Sequence, residues 1–297
     1  MIWNSPWELA SAVSNAGGLG IIGAASMYPE VLRTHIRRCQ QATDQPFGVN
    51  VPLLYPDIEQ LMNIIIEEGV KIVFTSAGNP AKWTQILKEK GITVTHVVSS
   101  AKFAKKAVSA GVDAVVAEGF EAGGHNGREE TTTLCLIPAV AKEINLPLLA
   151  AGGIATGASM MAAMVLGADG VQIGTRFAAS VEGSGHDNFK SKIVEIAEGD
   201  TKLTLKKTIP VRMIKNKFFN DIDEAEKRGA NAEELIKILG VARAKKGMFE
   251  GDMDEGELEI GQVSALITEI KPAAEIINDL MTEFHIAQKS VANFNLD

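Results

Sequence analysis

Residues 117–127 read AEGFEAGGHNG, and their reading decides the fold. They follow a short, largely apolar run, residues 112–116, of the kind that forms a buried strand. The stretch then supplies two carboxylates, Glu118 and Glu121, a Gly123-Gly124 pair and a single histidine, His125. A strand that stops at a carboxylate, turns on glycines and offers a histidine reads as the mouth of an active site.

Working outward, the same unit recurs. Apolar runs at 19–23, 47–51, 71–76, 92–98, 147–151 and 170–174 join 112–117 as candidate strands. Amphipathic segments at 5–16, 29–41, 57–68, 81–90, 101–110, 133–144 and 157–166 alternate with them as helices, the first expected to be capped by Ser5 with Pro6 at its first position. The strands are continuous apolar runs, as in a parallel sheet covered on both faces. Their spacing of about 20 to 35 residues argues for βα units.

Seven strands are one short of a closed (β/α)8 barrel. Only residues 1–4 precede the first helix, so either the barrel is open or the chain begins just after its first strand. The second is preferred: an α/β fold, a (β/α)8 TIM barrel lacking most of its first strand. From about residue 184 strands vanish and charged helical segments follow. The expected division is a barrel core, 1–183, and a helical appendage, 184–297, packed on it as one structural unit. Within the appendage Asn231 and Glu234 form a capping-box pattern, Pro272 can open a helix, and 247–261 reads as an acidic, glycine-rich loop.

Composition bounds the function. The chain has 297 residues, 46% hydrophobic and 22% charged, with a net charge of −8. That balance disfavours nucleic acid and anionic membranes as partners. Cys39 and Cys135 stand alone, without metal-ligand spacing. No apolar run approaches the ~20 residues that cross a bilayer, and residues 1–8 lack a basic flank and apolar core, so no secretory signal is read. A cytoplasmic enzyme is the expectation.

Barrel active sites lie at strand C-termini, and phosphate is commonly held after the last two strands. Those ends here read AAGGI (150–154) and QIGTRF (172–177). Gly152, Gly153, Gly174 and Thr175 thus make a candidate phosphate cradle of backbone amides and a hydroxyl. The sequence has neither a P-loop nor a G-x-G-x-x-G dinucleotide fingerprint. FMN or a phosphorylated substrate remains. Asn50, Thr75, Ser76 and Glu118 sit at other strand ends, placed to meet a ring or ribityl chain.

SNAGGLGIIGA (14–24), FGVN (47–50), TSAGNP (75–80), AEGFEAGGHNG, AAGGIATG and GVQIGTRF (170–177) together resemble the nitronate monooxygenase / enoyl-ACP reductase II family. The resemblance implies a TIM barrel binding FMN. Gly152, Gly153, Gly174 and Thr175 would hold its phosphate; Asn50, Thr75, Glu118, Ala122, Gly123 and Gly124 would line the flavin; His125 would be catalytic. The family's opening strand is absent, and Met1 stands where its last methionine would be. A homodimer is also implied.

Two chemistries compete within that resemblance: oxidation of nitronates with oxygen, and reduction of enoyl thioesters with NADH or NADPH. Residues 124–136 and the tail look more like the enoyl-ACP reductase branch. Between residues 201 and 220 lie Lys202, Lys206, Lys207, Arg212, Lys215 and Lys217 with no acid among them. Such an island can steer an acidic acyl carrier protein, clamp NAD(P)H phosphates, or simply be a solvated face. A flavin-free, non-catalytic barrel is the alternative of another class.

Overall fold

Seven apolar runs become one parallel sheet in the computed structural model, which describes residues 1–293. The strands are β1 (Gly20–Gly23), β2 (Phe47–Pro52), β3 (Ile72–Ser76), β4 (Thr93–Val98), β5 (Ala114–Glu118), β7 (Leu148–Ala151) and β8 (Gly170–Gln172), paired in that order; β6 (Gly124–His125) lies elsewhere. Helices α1 (Trp7–Asn15), α2 (Pro29–Ala42), α3 (Ile58–Glu67), α4 (Ala81–Glu89), α5 (Ala101–Ser109), α6 (Thr133–Ala141) and α7 (Gly157–Val165) cover the outside.

Alternation along each strand divides the core. Val49, Val51, Val73, Val94, Val115, Ala117, Leu148 and Ala150 face outward and pack with helix residues such as Leu32, Ile36, Leu61 and Ile65. Each fully buried Leu or Ile there contributes about 1.5–3 kcal/mol. Phe74, Val116 and Ala151 face inward with Ile21, Ile72, Val97 and Leu149. Local signals fix the joints: Ser100 caps α5, Thr156 and Ser159 form a capping box at α7, and the Asp113 and Asp169 carboxylates accept from the amides of Val94 (2.9 Å) and Leu148 (2.8 Å) on neighbouring strands. Ser5 does not cap α1, which starts at Trp7; its hydroxyl donates to the Ile21 carbonyl at 2.5 Å and tethers the chain start to β1.

The sheet stays open between β1 and β8. Residues 1–5 run along the C-terminal end of that gap: the Gly23 amide donates to Ser5 O (3.0 Å), and Met1 lies between the last glycines of the two strand ends, Gly23 and Gly174.

Two expectations for the C-terminal third need correction. Strands do not vanish there: β9 (Thr201–Thr204) and β10 (Val211–Ile214) pair antiparallel, and β10 also pairs with β6. These strands are four residues long and each carries a cation, Lys202 in β9 and Arg212 in β10, which hides them among helical charge patterns. Nor is the whole third an appendage. After short α8 (Thr175–Ala178), α9 (Asp187–Glu195), α10 (Lys217–Lys227) and α11 (Ala232–Leu239), helix α12 (Ala273–Ala292) returns to the barrel. It packs beside α7, where Gly157 donates to Glu283 Oε2 (2.7 Å), and its Ala273, Ile276 and Leu280 join Leu9 of α1 in one cluster. A β-carbon on Gly157 would stand 2.1 Å from the Phe284 amide, so that glycine is dictated by the contact. Eight helices, α1–α7 and α12, therefore surround seven strands, and the segment between α8 and α12 is an insertion. Its capping box at Asn231–Glu234 and the helix start at Pro272 are as read from sequence.

Candidate active site

The inward set of the sheet ends in Gly23, Asn50, Ser76, Glu118 and Gln172, and these open into a cavity of about 1700 Å³. Met1, Asn50, Glu118, Ala122, Gly123, Gly124, His125, Gly152, Gly153, Gly174 and Thr175 all line it. Thr75 does not. It shares the outward parity of Val73, is fully buried, and its Oγ1 lies 2.7 Å from Nδ1 of His96, which is itself one of the cavity-lining residues. Burial pushes the His96 imidazole down to about 4. The strand-end position that meets the cavity is Ser76, one residue on.

The two carboxylates of the 117–127 stretch part company. Glu118 ends β5 on the inward face and lines the cavity. Desolvation there pushes its carboxyl up to about 7. Glu121 turns away and accepts from the amide (2.9 Å) and hydroxyl (3.0 Å) of Thr133, capping the first turn of α6.

The glycine pair is explained by what lies over it. A β-carbon on Gly123 would stand 2.4 Å from the Ile260 carbonyl carbon, and one on Gly124, which has φ +75°, 2.5 Å from Glu259 Oε2. The turn is then pinned as strand β6 against β10, with His125 opposite Val211 and Gly124 opposite Arg212. His125 is exposed on the cavity side. Glu259 also lines the cavity; burial pushes its carboxyl up, while His125 acts in the opposite sense. Its neighbour Glu257 is buried and pushed up to about 8. Sequence reading missed Glu259, leaving it in an acidic loop. The signal was the alternation Glu257-Leu258-Glu259-Ile260, whose apolar members are buried.

The opposite wall is backbone. Gly152 and Gly153 have φ of +85° and +71°, and a β-carbon on Gly152 would meet the Gly119 carbonyl at 2.7 Å. Gly174 faces Met1, and Thr175 Oγ1 accepts from the Gly261 amide (3.1 Å). Gln172, also missed as a site residue, has a buried side-chain oxygen without a hydrogen-bond partner among the described residues, in the cavity wall. An unmatched acceptor of this kind calls for a donor from a ligand. An unfilled acceptor, side-chain-free glycines and a cavity of this size fit a flavin mononucleotide.

The six cations of 201–220 do not form one free surface. Lys202 pairs with Asp223 (2.6 Å), Lys206 with Glu130, Lys217 with Glu255 and Asp221; Lys207 donates to Ala230 O (2.6 Å), and Arg212 is buried. Lys215 is exposed. No described helix is long and apolar enough to cross a membrane.

Reactive side chains gathered where parallel strands end, facing a glycine-built cradle, define a barrel enzyme. The nitronate monooxygenase family model matches residues 1–283. FabK from Thermotoga maritima superposes with a TM-score of 0.94 at 43% identity, covering 99% of this chain and 94% of that one. A nitroalkane oxidase from Streptomyces ansochromogenes superposes at 0.85 with 25% identity, covering 97% and 94%. A probable nitronate monooxygenase of Staphylococcus saprophyticus is 35% identical over 91% of this chain and 89% of its own. The chain belongs to the nitronate monooxygenase family, whose members are FMN-dependent flavoproteins, and it is an oxidoreductase.

Proposed function

We propose that this protein binds FMN and reduces enoyl thioesters with NADH or NADPH, the activity of an enoyl-ACP reductase II. The observation that carries this reading is the match to FabK at 43% identity over 99% of the chain, against 25% for the nitroalkane oxidase. The character of residues 124–136 supports it. In the net reaction the nicotinamide gives up a hydride and the medium a proton, and the carbon–carbon double bond gains both. FMN, when bound, supplies the carrier for that hydride.

The chain's own residues supply the rest. Amides at Gly152, Gly153, Gly174 and Thr175 would bind the FMN phosphate; Asn50, Glu118 and Gln172 would meet the ring and its chain. His125, held by β10, orients the thioester by an imidazole N–H to its carbonyl oxygen, where charge develops as hydride arrives. Glu259–Gly261 cover the turn and keep water from its far side.

A second reading, nitronate oxidation with oxygen, is favoured by the family model and by the name of the 35% identical relative. There His125 would take the substrate's α-proton. One flavin-loaded sample separates the two. NADH oxidation dependent on crotonyl-ACP, without oxygen uptake on propyl nitronate, is the expected result; the reverse pattern overturns the proposal.

A further inference from the structure

Arg212 is the largest fully buried side chain among the described residues, 2% exposed, yet no described carboxylate lies within ion-pair distance of it. Its Nε and Nη2 both donate to one acceptor, the Phe120 carbonyl, at 3.2 and 2.9 Å. The guanidinium carbon stacks 4.5 Å from the Phe120 ring centre, and Nη1 reaches Thr201 Oγ1 at 3.5 Å. Burial pulls its pKa down, opposed by Glu121 and Glu130, the acids that face it. A buried cation without a carboxylate is costly, and a well-packed apolar residue would fill the space at less cost. Something other than stability accounts for it.

The backbone around Arg212 supplies the reason. Pro210 O accepts from the Asn126 amide (2.9 Å), Val211 stands opposite His125, and Arg212 opposite Gly124. Residues 210–212 thus hold the far end of the turn by main chain, and the Arg212 side chain holds its near end at Phe120. The fork of donors fixes the direction of the Phe120 carbonyl, which a single donor would leave free to pivot. We propose that Arg212 is a positioning residue for His125, clamping the Phe120–Asn126 turn so that the imidazole meets the substrate in one orientation. This rests on His125 being the reacting group.

The test compares Arg212→Met, Arg212→Lys, His125→Ala and the double variant Arg212→Met/His125→Ala as flavin-loaded proteins. For Arg212→Met kcat should fall about 100-fold, as for a misplacement of about 1 Å, with KM little changed and flavin retained. Methylguanidinium at non-denaturing concentration should restore part of kcat, and lysine should restore less than arginine. In the double variant, loss of Arg212 should cost nothing beyond His125→Ala, because the two act as a unit. Amide hydrogen exchange at residues 120–126 should quicken in Arg212→Lys while the barrel strands keep their protection. Wild-type kcat in Arg212→Met, or losses that multiply in the double variant, would overturn the proposal. If Arg212→Met does not fold, unchanged exchange at 120–126 in Arg212→Lys overturns it. If His125→Ala is itself fully active, the reading of the histidine fails, and the exchange measurement still decides whether Arg212 holds the turn.

Discussion

Gly124 lies against the carboxylate of Glu259, with only 2.5 Å between the place of a β-carbon and Glu259 Oε2. The glycine belongs to the turn that carries His125, and the acid to the insertion. Gly124→Ala must therefore both adopt φ near +75° and displace that acid. We expect a loss of about 1–2 kcal/mol from the backbone alone, a lower thermal midpoint, and a larger loss of turnover than of bound flavin. Comparing melting, flavin content and kcat on one preparation checks all three.

His125→Ala should keep flavin, because the glycine wall is untouched, and lose about 10²–10⁴-fold in turnover. Unchanged turnover on both enoyl thioester and nitronate would remove the histidine from the mechanism.

Gly152→Asp should abolish the flavin's visible absorbance. The new side chain meets the Gly119 carbonyl, the backbone is left in a conformation that disfavours it, and a carboxylate faces the phosphate. A yellow, stable Gly152→Asp protein would place the phosphate elsewhere.

Glu257 gives a pH prediction. Its carboxyl, pushed by burial from 4.5 to about 8, keeps in the folded chain a proton that the unfolded chain has lost. Between those values the folded state binds more protons, so this group's contribution to stability declines as pH rises. Glu257→Gln should therefore gain on the wild type from pH 4.5 to 8, and level off above. Glu118→Gln should do the same up to about 7. The difference between variant and wild type is the quantity to plot, because His96 and the Met1 amine, both pushed down by burial, pull the opposite way. A flat difference in thermal midpoint between pH 5 and 8 would contradict the burial of these acids.

Thr75→Val should leave flavin affinity unchanged. It leaves His96 Nδ1 without its Thr75 partner, at a cost of about 1–3 kcal/mol. Weaker flavin binding in this variant would restore Thr75 to the cavity.

The βα alternation was legible because strands buried on both faces are continuous apolar runs, and the capping boxes because they are local. The same continuity hid which face each strand residue takes. Thr75 and Ser76, or Glu118 and Glu121, are equivalent in sequence; only the register decides that Ser76 and Glu118 face the cavity. The lysines of 201–220 read as one patch because pairing with Asp223, Glu130 and Glu255 spans distances in sequence that no local pattern records. Arg212 looked like one more surface cation. Its neighbours Val211 and Met213, both buried, were the available hint that it lies in a strand.

The pairing of β6 with β10 has a consequence for how the protein is made and how it can diverge. The cradle of Gly152, Gly153 and Gly174 is synthesised before the strand that fixes His125, so a chain made only through α8 holds these glycines and lacks the strand that pins the histidine. The insertion between α8 and α12 reaches both parts: its Gly261 amide meets Thr175 Oγ1 of the cradle and its Glu259 and Ile260 lie against the glycines of the turn, so a change there is felt by cofactor wall and histidine together.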